Sequence, residues 1–200
     1  MSALSDLNAE IARCQDCDLA KSRTRAVPGE GSENADILFI GEAPGWHEDQ
    51  QGRPFVGPAG QFLDELLRSV NLQRSDVYIA NIIKCRPPTN RDPLPSEMMT
   101  CRRWLDRQIE IIRPRMIVTL GRYSLAQFLP GAAIGKVHGT AHRKDGVLYF
   151  AMYHPAAALH QGSLRKAIQD DMLKIPRLLN EAEKVEEVKA EDEPQQLSMF

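Results

Sequence analysis

Four short apolar runs, each followed closely by a glycine or a polar residue, constrain this chain more than any other feature. They are Asp36-Ile37-Leu38-Phe39-Ile40, Val77-Tyr78-Ile79-Ala80-Asn81-Ile82-Ile83, Met116-Ile117-Val118-Thr119-Leu120 and Val147-Leu148-Tyr149-Phe150-Ala151-Met152-Tyr153. Runs of this length read as buried strands. The segments between them carry helical signals. Residues 58–72 place Phe62, Leu63, Leu66, Leu67 and Val70 at helical spacing. Pro95-Ser96-Glu97 opens a second helix running towards Arg113, with Ser96 as the expected N-cap. Residues 163–179 read as a closing helix that Pro176 should kink or end. Strands separated by helical crossovers predict an α/β sandwich with a mostly parallel sheet.

In open parallel sheets ligands bind beyond the carboxyl ends of the strands. The residues there are chemically rich. Gly41-Glu42-Ala43-Pro44-Gly45 follows the first strand and Gly121-Arg122 the third. The second carries Asn81 near its end and leads into Cys85-Arg86-Pro87-Pro88, and His154-Pro155 follows the fourth. A carboxylate, an amide and an imidazole are thus expected on one sheet edge. The glycines fit neither G-x-G-x-x-G nor a P-loop, which argues against a nucleotide cofactor.

The cysteines form a second pattern. Cys14-x2-Cys17 is followed after 67 residues by Cys85-x15-Cys101. A close pair completed by two distant thiols is a tetrathiolate arrangement, which holds zinc or an iron–sulfur cluster. Spacing alone does not choose between them, and four unrelated buried cysteines is the plain alternative.

Composition excludes several classes. No apolar run approaches the roughly 18 residues of a membrane span. The start, Met1-Ser2-Ala3-Leu4-Ser5-Asp6, lacks the basic and apolar regions of a signal peptide, so a cytoplasmic protein is expected. Four cysteines in 200 residues are too few for a disulfide scaffold. The net charge of −2 hides an asymmetry: residues 181–200 carry −5, leaving +3 on residues 1–180. The body holds 17 arginines against 6 lysines. Arginine suits bidentate phosphate contacts, but codon usage in a GC-rich genome is the better explanation of the count alone.

Three single residues stand out. Phe55 lies in a Pro- and Gly-rich loop rather than on a periodic apolar face, as a stacking platform or as a plug of the core. Asn81 interrupts an apolar strand; its amide offers the donor and acceptor needed to read a pyrimidine edge, or it bonds backbone. A neutral His154 could donate to a developing anion, or be a structural histidine.

In combination these segments resemble the family 4 uracil-DNA glycosylases, the iron–sulfur members of the uracil-DNA glycosylase superfamily. The matching stretches are Cys14-x2-Cys17, Gly41-Glu42-Ala43-Pro44-Gly45, and Glu48-Asp49 leading to Gly52-Arg53-Pro54-Phe55-Val56-Gly57. Asn81-Ile82-Ile83-Lys84-Cys85-Arg86-Pro87-Pro88, Cys101 and His154-Pro155 complete the set, in the family's order. The resemblance implies a three-layer α/β/α sandwich around a four-stranded mostly parallel sheet. It implies a [4Fe-4S] cluster on Cys14, Cys17, Cys85 and Cys101. It assigns Phe55 to stack on uracil, Asn81 to read its edge, His154 to contact it, and Gly41, Glu42 and Ala43 to line the base pocket. Glu42 and His154 are the expected catalytic residues. Related proteins that trap DNA covalently carry a basic insert with a nucleophilic histidine before the last cysteine. Residues 89–95 here contain no histidine, so turnover is expected.

The expected function is therefore excision of uracil from DNA, initiating base excision repair, by a monomer. The base would be flipped out of the helix. Residues 156–162 are the expected DNA-probing loop with Leu159 as a wedge, unless they form the first turn of a packed helix. The alternative is a non-catalytic iron–sulfur or zinc adaptor that binds DNA and brings a partner to the sliding clamp; an electron-transfer protein is a third reading. Residues 1–180 are expected to form the catalytic domain and 181–200 an acidic, disordered tail. That tail ends in Gln196-Leu197-Ser198-Met199-Phe200, which resembles the bacterial sliding-clamp-binding pentapeptide. Gln196, Leu197, Met199 and Phe200 are its expected contacts.

Overall fold

A computed structural model of the chain describes residues 2–181. Six strands form one sheet: β1 (Glu30–Gly31), β2 (Ile37–Gly41), β3 (Tyr78–Asn81), β4 (Met116–Leu120), β5 (Ala141–Lys144) and β6 (Val147–Met152). The helices are α1 (Ala3–Arg13), α2 (Leu19–Ser22), α3 (Trp46–Gln51), α4 (Pro58–Ser69), α5 (Pro95–Ile112), α6 (Arg122–Ala126), α7 (Ile134–Val137), α8 (Pro155–His160), α9 (Ser163–Met172) and α10 (Ile175–Asn180).

The strand order is β1-β3-β2-β4-β6-β5. The four apolar runs are the parallel centre, β3-β2-β4-β6. The expected four-stranded sheet is corrected to six strands, because β1 and β5 add antiparallel edges. Neither edge strand has an apolar run to announce it. β1 is two residues long, and β5 reads Ala-His-Arg-Lys with none of its residues buried. Short, charged edges also discourage pairing between molecules. Asp145 and Gly146, both at positive φ, make the tight turn joining β5 to β6, as an Asp-Gly hairpin does.

Alternate residues of the buried strands feed two cores. Leu38, Ile40, Tyr78 and Ile117 pack with Leu7 and Ile11 of α1 and Trp104, Leu105 and Ile112 of α5. Phe39, Ile79, Val118 and Phe150 pack on the other face with Phe62, Leu63, Leu66 and Leu67 of α4 and Ile168 and Met172 of α9. The sheet is therefore sandwiched between helical layers. The chain leaves β2 for β3 over one face, then crosses to β4 over the other. Strand order thus reverses between β2 and β4, where α/β sheets open a crevice at their carboxyl ends.

Helix boundaries follow local chemistry. Leu94, not Ser96, caps α5: the Glu97 carboxylate reaches back to the Leu94 N–H at 2.8 Å and also pairs bidentately with Arg91. Ser96 falls inside the first turn. The expected closing helix breaks after Met172, and Pro176 is accommodated in the first turn of α10, where its missing N–H costs nothing. Pairing at the β3 end outruns the strand itself, since the Ile82 and Ile83 N–H groups donate to Gly41 and Glu42 carbonyls.

Candidate functional site

The carboxyl ends of β2, β3 and β6 bring four of the expected residues together. Gly41 ends β2 beside Asn81, which ends β3. A Cβ added at Gly41 would overlap Asn81 Oδ1 and stand 2.6 and 2.8 Å from Phe55 Cζ and Cε2. Only glycine leaves room there. The Phe55 ring in turn lies 5.5 Å from the His154 ring, at an interplanar angle of 25°.

Each of these residues is held from behind. Phe55 is buried with a left-handed backbone, φ +52°, which costs a non-glycine residue conformational energy. Two features over-determine it. The Arg74 guanidinium donates to the Pro54 carbonyl at 2.9 Å and to the Phe55 carbonyl, and is itself paired with Asp64. Gly60 of α4 lies so close beneath Phe55 that any side chain there would collide with the Phe55 carbonyl. The Glu48 carboxylate accepts the next two N–H groups, from Val56 and Gly57, at 2.8 and 2.9 Å. Buried Asp49 accepts the Thr24 N–H at 2.9 Å and so ties this loop to the N-terminal segment.

Asn81 is 2% exposed, and its Oδ1 has no hydrogen-bond partner. A buried acceptor without a donor costs about 1–3 kcal/mol, so this atom marks a place that a ligand's N–H would satisfy. His154 is set differently. Its Nδ1 accepts the Ala156 N–H at 3.1 Å and so caps α8. With Nδ1 an acceptor, the neutral ring carries its proton on Nε2. Burial pushes the imidazole down to about 4, opposed only by the Glu48 charge. At neutral pH this ring is an uncharged N–H donor.

Glu42 follows Gly41 and is partly buried. Burial first, then the Asp92 charge, raises its carboxyl above the usual range, while Arg122 acts the other way. Asp92 accepts from both Arg122 and Tyr123, at 2.8 and 2.6 Å, which ties the loop before α5 to the end of β4 beside Glu42. Ala43 packs instead against the α1/α5 core. Residues 155–160 form α8, so the expected probing loop is largely helical, yet Leu159 remains 48% exposed on it.

All four cysteines line one cavity, with Arg23, Lys84 and Trp104. None is in a disulfide. Arg23 Nη1 donates to Cys85 Sγ at 2.8 Å, and the Lys84 N–H to Cys101 Sγ at 3.3 Å. The Trp104 indole N–H is buried without a partner. Among the described residues no three thiol, imidazole or carboxylate groups converge as ligands of a single ion.

The family model described as the uracil DNA glycosylase superfamily matches residues 28–175. That settles the kinship. The chain belongs to the uracil-DNA glycosylase superfamily. Within it the chain groups with the type-4 enzymes. It is 47% identical to the type-4 uracil-DNA glycosylase of Archaeoglobus fulgidus, over 89% of this chain and 94% of that one. It is 44% identical to that of Sulfurisphaera tokodaii, over 89% and 86% of the two chains. With the type-4 protein of Thermotoga maritima identity is 43%, over 84% and 90%.

Reading the sequence alone leaves three supports of this site without a role: Glu48, Arg74 and Lys84. Glu48 stands at the start of the Glu48–Gly57 stretch that carries the family resemblance. Arg74 carries no signal of periodicity or spacing, because its partners include backbone carbonyls 19 and 20 residues away, and Lys84, within the Asn81–Pro88 stretch, has its far partner in the Gln108 side chain of α5. Among the described residues no helix is long and apolar enough to cross a membrane. Gln196, Leu197, Met199 and Phe200 lie outside the described residues.

Proposed function

We propose that this chain hydrolyses the N-glycosidic bond of uracil in DNA through the residues gathered at Gly41, and that it thereby initiates base excision repair. The observation that carries the assignment of residues is the unpartnered, buried Oδ1 of Asn81 beside Gly41 and Phe55. Flipped uracil offers an N3–H donor to that oxygen and an O4 acceptor to the amide N–H. Cytosine has no proton at N3 and a donor at C4, so it would leave Oδ1 unpaired and set donor against donor. Thymine adds a methyl group that a close-walled pocket excludes. Phe55 supplies the stacking face.

Cleavage passes through an oxocarbenium-like sugar and a uracil anion. The His154 Nε2–H, uncharged at working pH, donates to a uracil oxygen as negative charge gathers there. A neutral donor does this without surrendering its proton. Glu42, made more basic by burial, orients the attacking water and takes its proton.

The four cysteines are read as ligands of a [4Fe-4S] cluster, as the likeness to the type-4 enzymes implies. Four thiols around one cavity, with a guanidinium and an N–H donating to them and an unsatisfied indole N–H beside them, suit an anionic, sulfur-rich group. Cys14, Cys17, Cys85 and Cys101 would hold it. When bound it supplies cross-linking rather than bond chemistry, fastening the end of α1 and the turn after β3 to α5. The adaptor reading has no use for the convergence of Asn81, Phe55 and His154. Glu42→Ala and Asn81→Ala should each slow uracil release in single turnover while the protein stays folded. Wild-type rates in both would overturn this assignment.

A further inference from the structure

One buried charge has no part in the chemistry above. Lys84 is 1% exposed and sits three residues after Asn81. Its ammonium donates to the Asn81 backbone carbonyl at 2.9 Å and to Gln108 Oε1 at 2.7 Å. No carboxylate is among its hydrogen-bond partners, and it lines the cavity shared by the four cysteines. Gln108 is fully buried on α5, and its amide N–H₂ donates to the Pro28 carbonyl at 2.9 Å and the Tyr78 hydroxyl at 3.2 Å. The Lys84 backbone is fixed as well: its N–H donates to Cys101 Sγ and its carbonyl accepts the Val27 N–H at 2.7 Å.

Burying an ammonium is costly, and although the anionic group proposed at the cysteines would lie beside Lys84, the hydrogen bonds of its ammonium run to Asn81 and Gln108 instead. The bonds it makes say what the charge is for. Asn81 ends a strand, so its carbonyl needs a donor from elsewhere, and its side chain must be aimed at a base while its Oδ1 stays free. An ammonium on that carbonyl fixes the peptide carrying the carboxamide and makes no demand on the carboxamide itself.

We propose that Lys84 is the positioning residue for Asn81: it joins the base-reading end of β3 to α5 through its ammonium and to the thiol centre through its backbone. The inference rests on the reading that Asn81 contacts the base. It gives the cysteine centre a route to the base pocket one residue long.

The test uses the anaerobically prepared full chain and two ligands, free uracil as an inhibitor and DNA containing an abasic site. Lys84→Met removes the ammonium and keeps the volume. It should raise the inhibition constant of uracil by roughly tenfold or more, the scale of one charge-assisted hydrogen bond. Affinity for abasic DNA and the visible absorbance of the protein should not change. Gln108→Leu, which cuts the far anchor alone, should raise the uracil constant in the same direction by a smaller factor. Unchanged inhibition by uracil, or a parallel loss of abasic-DNA affinity that marks general disruption, overturns the proposal. Should Lys84→Met fail to fold, Gln108→Leu decides by the same criteria. Asn81→Ala is the control that separates the two claims. If it leaves uracil inhibition unchanged, the base-contact reading itself fails. If it weakens inhibition and Lys84→Met does not, only the positioning inference fails.

Discussion

The neutral state of His154 can be tested without measuring catalysis. Burial holds its imidazole down to about 4, against an ordinary value near 6.5. Between those values the unfolded chain binds a proton that the folded chain refuses. Stability contributed by the neutral ring is therefore full above about pH 6.5 and is lost as pH falls towards 4. Working the linkage through gives a loss of about 2 kcal/mol between pH 7.5 and pH 5. His154→Asn is the useful perturbation, because asparagine keeps an acceptor for the Ala156 N–H at the start of α8 and removes the titrating ring. Denaturant melts of both proteins at pH 7.5 and pH 5 isolate the histidine, since every other group is shared. Wild type should lose about 2 kcal/mol more than the variant over that interval. Equal pH dependence would show that the ring titrates normally and would remove the basis for a neutral donor. The same reasoning expects wild-type kcat/KM to show no inflection near pH 6.5. The variant should release uracil about 10²–10³-fold more slowly, the usual loss of one donor to a developing anion.

Three further outcomes follow from the geometry. Gly41→Ala places a Cβ against Phe55 and Asn81; overpacking of this kind costs about 1–3 kcal/mol, so single-turnover excision should fall by about fivefold or more, and near-wild-type rates would show that the pocket is elsewhere. Cys101→Ser should abolish the broad brown absorbance of anaerobically prepared protein and lower its melting temperature, whereas retained absorbance would remove Cys101 from the ligand set. Deleting residues 195–200 should abolish co-elution with the bacterial sliding clamp and leave excision from a short oligonucleotide unchanged; persistent co-elution would refute docking through Gln196, Leu197, Met199 and Phe200.

What was legible in the sequence had a physical signature there. The parallel core was visible because strands buried on both faces must be apolar throughout. β5 was hidden because an edge strand facing solvent can be Ala-His-Arg-Lys, and its one signal was the Asp-Gly turn that follows. The break before α10 was written in Pro176, while the α5 cap was misplaced because Glu97 satisfies the Leu94 N–H across a turn that Ser96 only resembles. In the site, the residue types after each strand pointed to one edge of the sheet. Their mutual contacts were not readable from spacing, because Phe55 reaches Gly41 through a left-handed backbone held by Arg74, 19 residues later. Lys84 had no assigned role in the sequence, because its bond to the Gln108 amide oxygen joins residues 24 positions apart.

The most direct test of the whole account is incubation of the purified protein with an oligonucleotide holding a single uracil, followed by alkali, beside the same strand with thymine. Strand cleavage at uracil and none at thymine is the expected result, with the signal lost in Asn81→Ala. A folded, brown protein that leaves the uracil strand intact would contradict it.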